Sequence, residues 1–368
     1  MKEKIKIDHC IVGGGIVGLF TAIFLREKFP DDSICILEKN IYVGESSTSR
    51  NSGVLHSGIY YPTDSLKHSL CLEGGELWKS FKLFSEGVVK ETGKYIFATK
   101  KNEEDALKKI FDLGISNSVP GLRFASSQEL SEISTFVNCS AAIYSPKSGL
   151  INVPVALKLL QSELERRDVI ILKDHGNFNL MRDGKEFLVS FEEFDMEVSY
   201  LFNCAGLSAI ETRKKLGLNN LEDYYVKGSY LTTTQKVEHS VLLYPVPPAN
   251  LKGLGVHSTM NWDGTIKFGP NTREVADINY SLENEDLEMM KDNVVKMFKG
   301  VDRNRLRGDY CGIRSKIKHD GKLWTDFWVV DGKGFGIPNY FEACGIESPG
   351  LTASPAIGRK LTSFVNKN

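Results

Sequence analysis

Residues 5–13 form an apolar run that reads as a strand. Residues 16–28 then repeat apolar side chains at helical spacing, with Phe20, Ala22, Ile23 and Phe24 on the packing face. Pro30 and the Asp31–Asp32 pair end that helix, and residues 33–38 predict a second strand closing on Glu38. A polar, serine-rich stretch follows, GESSTSRNSGVLHSGIYY at 44–61, whose small residues point to backbone held close to something. Leu66, Leu70, Leu77 and Phe81 predict a helix over 65–85, and GKYIFAT (93–99) predicts a strand. A charged amphipathic helix is expected at 102–113, a helical turn from Ser127, and a strand at 141–145 entering the turn PKSG. The helix at 154–166 has Pro154 in its first turn, where a missing N–H costs nothing. Apolar runs at 169–173, 187–192 and 196–203 lead into FNCAG (202–206) and a helical start at Ser208.

The next region changes character. YYVKGSYLTTT, SVLLYPVP, GLGVHST and GTIKFGP, within 224–270, fit an antiparallel sheet better than βαβ units. A helix at 284–298, the strand DFWVVD, and then a strand, a glycine turn and a terminal helix complete the chain. The fold class is therefore α/β: a discontinuous dinucleotide-binding domain, completed by the C-terminus, with an inserted antiparallel α+β domain.

Gly13, Gly15 and Gly18 lie between the first strand and the first helix. In that context Gly13 permits a tight turn, Gly15 lets phosphates approach and Gly18 lets helix and sheet pack closely. A pyrophosphate would sit at the helix N-terminus, and Glu38 can accept hydrogen bonds from a ribose. The pattern predicts a dinucleotide cofactor. Ala205 and Gly206 give a second glycine signal at a strand end, of the kind that lets backbone approach a ligand.

Composition narrows the function classes. The chain has 368 residues, enough for one large domain or two, with 41% apolar and 25% charged residues, as in ordinary soluble proteins. A formal charge of −1 offers no global field for nucleic acid, while leaving weak attachment to a membrane surface open. No window is apolar enough for a membrane span. The basic start MKEKIKIDHC reads as the first strand rather than a signal peptide. Seven cysteines, without a CxxC pair, are expected to be buried free thiols in a reducing compartment. HExxH, GxSxG, Walker-type GxxxxGKT and compact His/Cys clusters are all missing, so neither metal nor serine catalysis has support.

Two histidines are candidate bases. His56 sits among glycines and small polar residues soon after the second strand; His257 lies within a strand, flanked by Gly255 and Ser258. An imidazole could remove a hydroxyl proton while hydride leaves the adjacent carbon, and the pattern does not choose between them. GIRSK (312–316) offers Arg314, whose rigid fork suits a carboxylate, and Lys316, a mobile point charge. Tyr60, Tyr61, Lys227, Tyr230 and Lys267 are further candidates, and YPVP from Tyr244 reads as a structural turn or pocket wall.

Taken in order, GGGIVG, SSTSRNSGVLHSGIYYP, FNCAG, YPVP, GLGVHST, FGP, GIRSK and GIESPGLT resemble the FAD-dependent D-amino-acid oxidase-like flavoproteins. Within them the chain is most similar to the L-2-hydroxyglutarate oxidase/dehydrogenase family, over nearly its whole length. The resemblance implies FAD as cofactor and a Rossmann-like FAD domain from residues 1–90, 142–215 and 325–368, with 91–141 and 216–324 as substrate domain. It implies that Gly13, Gly15, Gly18 and Glu38 bind the adenosine and pyrophosphate part. It places Ser49, Arg50 and Ser52 beside the cofactor, and Gly345, Ile346, Glu347, Ser348, Pro349, Gly350 and Leu351 over the ribityl and flavin. It implies hydride transfer from an L-2-hydroxy dicarboxylate to FAD, giving 2-oxoglutarate, with a quinone, another carrier or oxygen as final acceptor. An amine or amino-acid oxidase on the same fold is the alternative, and an FAD-containing tRNA-modifying or non-catalytic binding protein a remote one. The implied location is cytoplasmic, with peripheral contact at the inner face of the cytoplasmic membrane compatible. One departure stands out: the family carries GxRPK, and Ser315 here replaces the proline.

Overall fold

The computed structural model describes residues 2–84, 87–235, 239–247 and 256–366. Two large sheets organise them. The eight-stranded sheet grows from Glu3–Val12, whose second half is a nearly continuous buried run, the pattern of a parallel strand covered on both faces. It pairs in parallel with Ile34–Leu37 on one side and Phe194–Asn203 on the other. Ile170–Leu172 extends the sheet beyond Ile34–Leu37, and Tyr340–Cys344 joins Phe194–Asn203. The last strand of the chain therefore returns to the sheet begun by the first. Asn179–Asp183, which the apolar pattern does not predict, forms a hairpin with Glu186–Ser190 at the sheet edge.

The helix Ile16–Lys28 falls where its periodicity predicts. It packs with Leu66–Ser80 and Gly350–Ser363 in one apolar layer. Phe20 meets the Trp78 ring edge-on at 5.1 Å, and the Trp78 indole donates to the Leu351 carbonyl at 3.0 Å. The first turn is equally tight. A Cβ on Gly18 would lie 2.0 Å from the Gly13 carbonyl oxygen, with nowhere for that backbone to move. Gly18→Val is therefore expected to purify without bound flavin and to melt below the wild type; flavin content and a thermal unfolding curve check it.

The ten-stranded sheet is the inserted unit. Leu221–Thr233 and Leu306–His319 run antiparallel along most of their length, followed by Ile266–Gly269, His257–Met260 and Leu242–Pro245. Leu242–Pro245 pairs in parallel with Lys94–Ala98, an exception to the expected antiparallel order. Ala141–Ser145 also lies in this sheet, against Lys94–Ala98. Residues from 142, expected with the nucleotide half, thus begin on the other sheet, and the chain changes sheet only after Ser145. Gly149–Ile151 joins Val54–Leu55 and Val89–Glu91 in a small third sheet. GIRSK is central in a 14-residue strand rather than at a strand end. Gly253–Gly255 of GLGVHST lie outside the described residues; the rest of that motif enters His257–Met260.

All seven cysteines are free, and six are buried. Among the described residues no helix is long and apolar enough to cross a membrane, and no group of three or more His, Cys, Asp or Glu could hold a metal ion.

Candidate active site

Three strand ends converge on the glycine turn. Gly13 N–H donates to the Leu37 carbonyl, and Cys204 N–H to the Val12 carbonyl, each at 2.8 Å. Glu38 is buried, and its two carboxylate oxygens accept from the Gly14 and Asn40 amides at 2.9 Å each. The helix after the turn starts at Gly15 with no capping side chain on that residue. Instead Ile16 N–H donates to the Thr48 hydroxyl at 3.1 Å, so the serine-rich segment braces the helix start. Amides pointing along the helix axis favour an anion there.

A cavity of about 560 Å³ opens from this turn. Gly13, Gly15 and Glu38 line its nucleotide part, and Arg50, Ser52, Ala205 and Gly206 line it further along. Ile346 to Leu351 form another wall. GIRSK faces the same space because its strand crosses the serine-rich segment closely: a Cβ on Gly312 would sit 2.0 Å from the Arg50 carbonyl oxygen. Ser315 donates its hydroxyl to the Gly206 carbonyl at 3.2 Å, which ties the two sheets together beside the cavity. The helix start at Gly15, the glycine-lined cradle and the fixed Glu38 carboxylate fit the pyrophosphate and ribose of FAD.

The other part of the cavity gathers the candidate chemistry. His56, Tyr60, Tyr61, Tyr230, His257 and Arg314 all line it. His56 N–H donates to the Thr352 hydroxyl at 2.9 Å, and its Nε2 lies 3.4 Å from the Ser348 hydroxyl. Burial, followed by the charges of Lys94 and His257, pushes the His56 imidazole well below its ordinary pKa of 6.5, so it faces the cavity neutral at pH 7. The His257 ring stacks on Tyr244 with centroids 3.8 Å apart. Tyr230 shares a hydrogen bond of 2.9 Å with Ser52, and Tyr61 one of 3.4 Å with Ser348. The Tyr60 hydroxyl is buried without a hydrogen-bond partner among the described residues. Among the described residues, no hydrogen bond or ion pair reaches the Arg314 guanidinium.

Lys316 is placed differently from Arg314. It lines the cavity, but its ammonium is ion-paired with Glu347 at 2.7 Å, and Lys67 pairs with the same carboxylate oxygen at 2.8 Å. Burial by itself would raise the Glu347 carboxyl; the two lysines outweigh it and hold the group below the ordinary carboxylate value. Five of the candidate residues do not reach the cavity wall: Gly18, Ser49, Lys227, Lys267 and Gly345. Lys227 is buried and lies 3.7 Å from Glu283, and Lys267 bonds the Tyr310 hydroxyl at 3.2 Å. Tyr244 is a wall of the cavity. Thr48, Lys67 and Lys94 also shape the site, and sequence reasoning missed them. Thr48 sits in a run of similar hydroxyls, Lys67 in an ordinary helix, and Lys94 at the start of a strand too fully buried to show alternation.

A family model described as FAD dependent oxidoreductase (DAO) matches residues 8–364. Mouse mitochondrial L-2-hydroxyglutarate dehydrogenase is 32% identical, over 95% of this chain and 86% of the relative. L-2-hydroxyglutarate dehydrogenase of Escherichia coli K12 is 29% identical, over 97% of this chain and 93% of its own. Among solved structures, FAD-bound L-α-glycerophosphate oxidase from Mycoplasma pneumoniae superposes with a TM-score of 0.88 at 22% identity, covering 99% of this chain and 95% of that one. Glycine oxidase from Geobacillus kaustophilus gives 0.82 at 17% identity, covering 99% and 96%.

Proposed function

The chain belongs to the FAD dependent oxidoreductase family, a flavoenzyme family that takes FAD as cofactor, and we propose that it oxidises L-2-hydroxyglutarate, or a closely related L-2-hydroxy dicarboxylate, to the 2-oxo acid. The observation that carries this reading is the Arg314 guanidinium, without a hydrogen-bond or ion-pair partner among the described residues, facing the same cavity as the His56 ring.

Arg314 holds a substrate carboxylate through two parallel N–H···O bonds, which a fork of donors makes with little ordering cost. The Lys67–Glu347–Lys316 cluster has two ammoniums for one carboxylate, and its net positive charge adds to the attraction for a dianion. His56 Nε2 accepts the proton of the C2 hydroxyl as the C2–H bond breaks and the carbonyl forms. His257, fixed by stacking on Tyr244, is the second candidate for that proton. The bound flavin supplies the two-electron acceptor for the hydride. The similarity to the L-2-hydroxyglutarate dehydrogenases supports the choice of substrate.

Anaerobic mixing of the purified holoprotein with L-2-hydroxyglutarate is expected to bleach the visible flavin band, with no comparable bleaching by sarcosine, glycine or D-amino acids. No bleaching by the hydroxy acid would overturn the reading, and bleaching by an amine instead would assign the cavity to the amino-acid oxidases of the same fold.

A further inference from the structure

Lys94 opens the Lys94–Ala98 strand, all five residues of which are buried. Only 1% of Lys94 is exposed. Its Nζ lies 5.2 Å from the centroid of the Tyr60 ring and 5.1 Å from that of Tyr244. Both rings line the cavity, and Tyr244 is the ring on which His257 stacks. Among the described residues no carboxylate pairs with the ammonium. A buried cation without a counter-ion is costly to hold, and two aromatic faces offset only part of that cost. A methionine would fill the same space more cheaply.

The groups packed around Lys94 do not cancel its charge. Tyr60 comes from the segment after Val54–Leu55, Tyr244 from Leu242–Pro245 and Cys71 from the helix Leu66–Ser80. Burial raises the pKa of all three, so they stay uncharged at pH 7. Burial lowers the Lys94 amine to about 8, against a small opposing effect of Cys71, which leaves it mostly protonated at neutral pH. His56, His257, Tyr61 and Tyr230 also titrate on this side, and the Lys67–Glu347–Lys316 cluster lies beyond Ser348. Burial raises both tyrosines, so they too stay uncharged at pH 7, and the Lys94 charge acts on His56.

We propose that Lys94 is a positioning residue: a buried ammonium behind Tyr60 and Tyr244 that keeps His56 an unprotonated proton acceptor and holds this part of the cavity at positive potential for an anionic substrate. It deepens the function proposed above and rests on the reading of His56 as the base.

The test compares the holoprotein with Lys94→Met and Lys94→Arg. Without substrate, the His56 imidazole is titrated by NMR, its signal assigned by its loss in His56→Gln. The His56 midpoint is expected to rise toward the ordinary histidine value in Lys94→Met and to stay low in Lys94→Arg. Lys94→Met is also expected to unfold at a higher temperature than the wild type, since an unpaired buried charge has gone. In turnover, the KM of the wild type for the hydroxy acid should rise as the pH passes through about 8, and that of Lys94→Met should be flat there. Should Lys94→Met not fold, Lys94→Gln removes the same charge and carries the same expectation for His56. An unchanged His56 midpoint in a folded charge-removed variant overturns the proposal. A wild-type rate of flavin reduction in His56→Gln is a separate failure: it removes His56 as the base, whatever Lys94 does to its titration.

Discussion

His56→Gln is expected to bind FAD normally and to be reduced by L-2-hydroxyglutarate roughly 10²-fold or more slowly than the wild type, the usual cost of losing a general base. Glutamine keeps the size and hydrogen-bonding reach of the side chain but cannot take the hydroxyl proton. The backbone tie of His56 N–H to Thr352 does not depend on the ring, so the cavity wall should survive. The pH dependence has a definite sign. Burial, with Lys94 and His257, depresses the His56 pKa well below 6.5. The neutral base is therefore fully present at the ordinary histidine value and is lost only as the pH falls through the depressed one. The acid limb of flavin reduction should lie below pH 6.5 in the wild type and vanish in His56→Gln. The same depression means that the native state loses stability as the pH falls from the ordinary value, because the unfolded chain takes up the proton first. Stopped-flow reduction across this range measures the first effect and thermal unfolding the second. An undiminished rate in His56→Gln would move the base to His257.

Arg314→Met is expected to act mainly on KM. Truncating one partner of a buried, hydrogen-bonded charge pair costs about 2–5 kcal/mol, or roughly 30- to several-thousand-fold in kcat/KM. Arg314 sits opposite Val226 in the central ladder of the ten-stranded sheet, so its backbone position is rigid. It has no protein partner among the described residues that could be left unpaired by the change. An interaction made equally with substrate and transition state changes KM and leaves kcat nearly constant. Arg314→Lys should recover only part of the loss, since an ammonium offers a point charge and not a fork. Steady-state kinetics of the two variants decide the matter: a KM unchanged in Arg314→Met would remove Arg314 from substrate binding.

The legible parts of this chain are those whose physics is local. The strand–turn–helix around Gly13 and Gly18 needs only a run of apolar residues, three glycines and a helical repeat, all within about 30 residues, and the structure keeps its helix bounds. Ile34–Leu37 follows from the same local run, and Glu38 at its end reaches Gly14 because a parallel neighbour must bring it there. The Asn179–Asp183 strand escaped notice because only Leu180 in it is buried, which leaves no alternation to read.

The composition of the site was less accessible. Arg314 and Lys316 look equivalent in GIRSK, two residues apart on one face of a strand. They differ only because Glu347 and Lys67, from the C-terminal loop and a distant helix, meet Lys316 and not Arg314. The glycine fingerprint, the Glu38 acid, the two histidines and the dinucleotide class followed from the sequence, since each depends on neighbours in the chain. Which lysine is tied up, and which cation is buried without a carboxylate partner among the described residues, depended on how two sheets pack across one cavity. So did the neutrality of His56. Those are long-range contacts and local dielectric, which no residue's sequence neighbours encode, and the tertiary structure alone decided them.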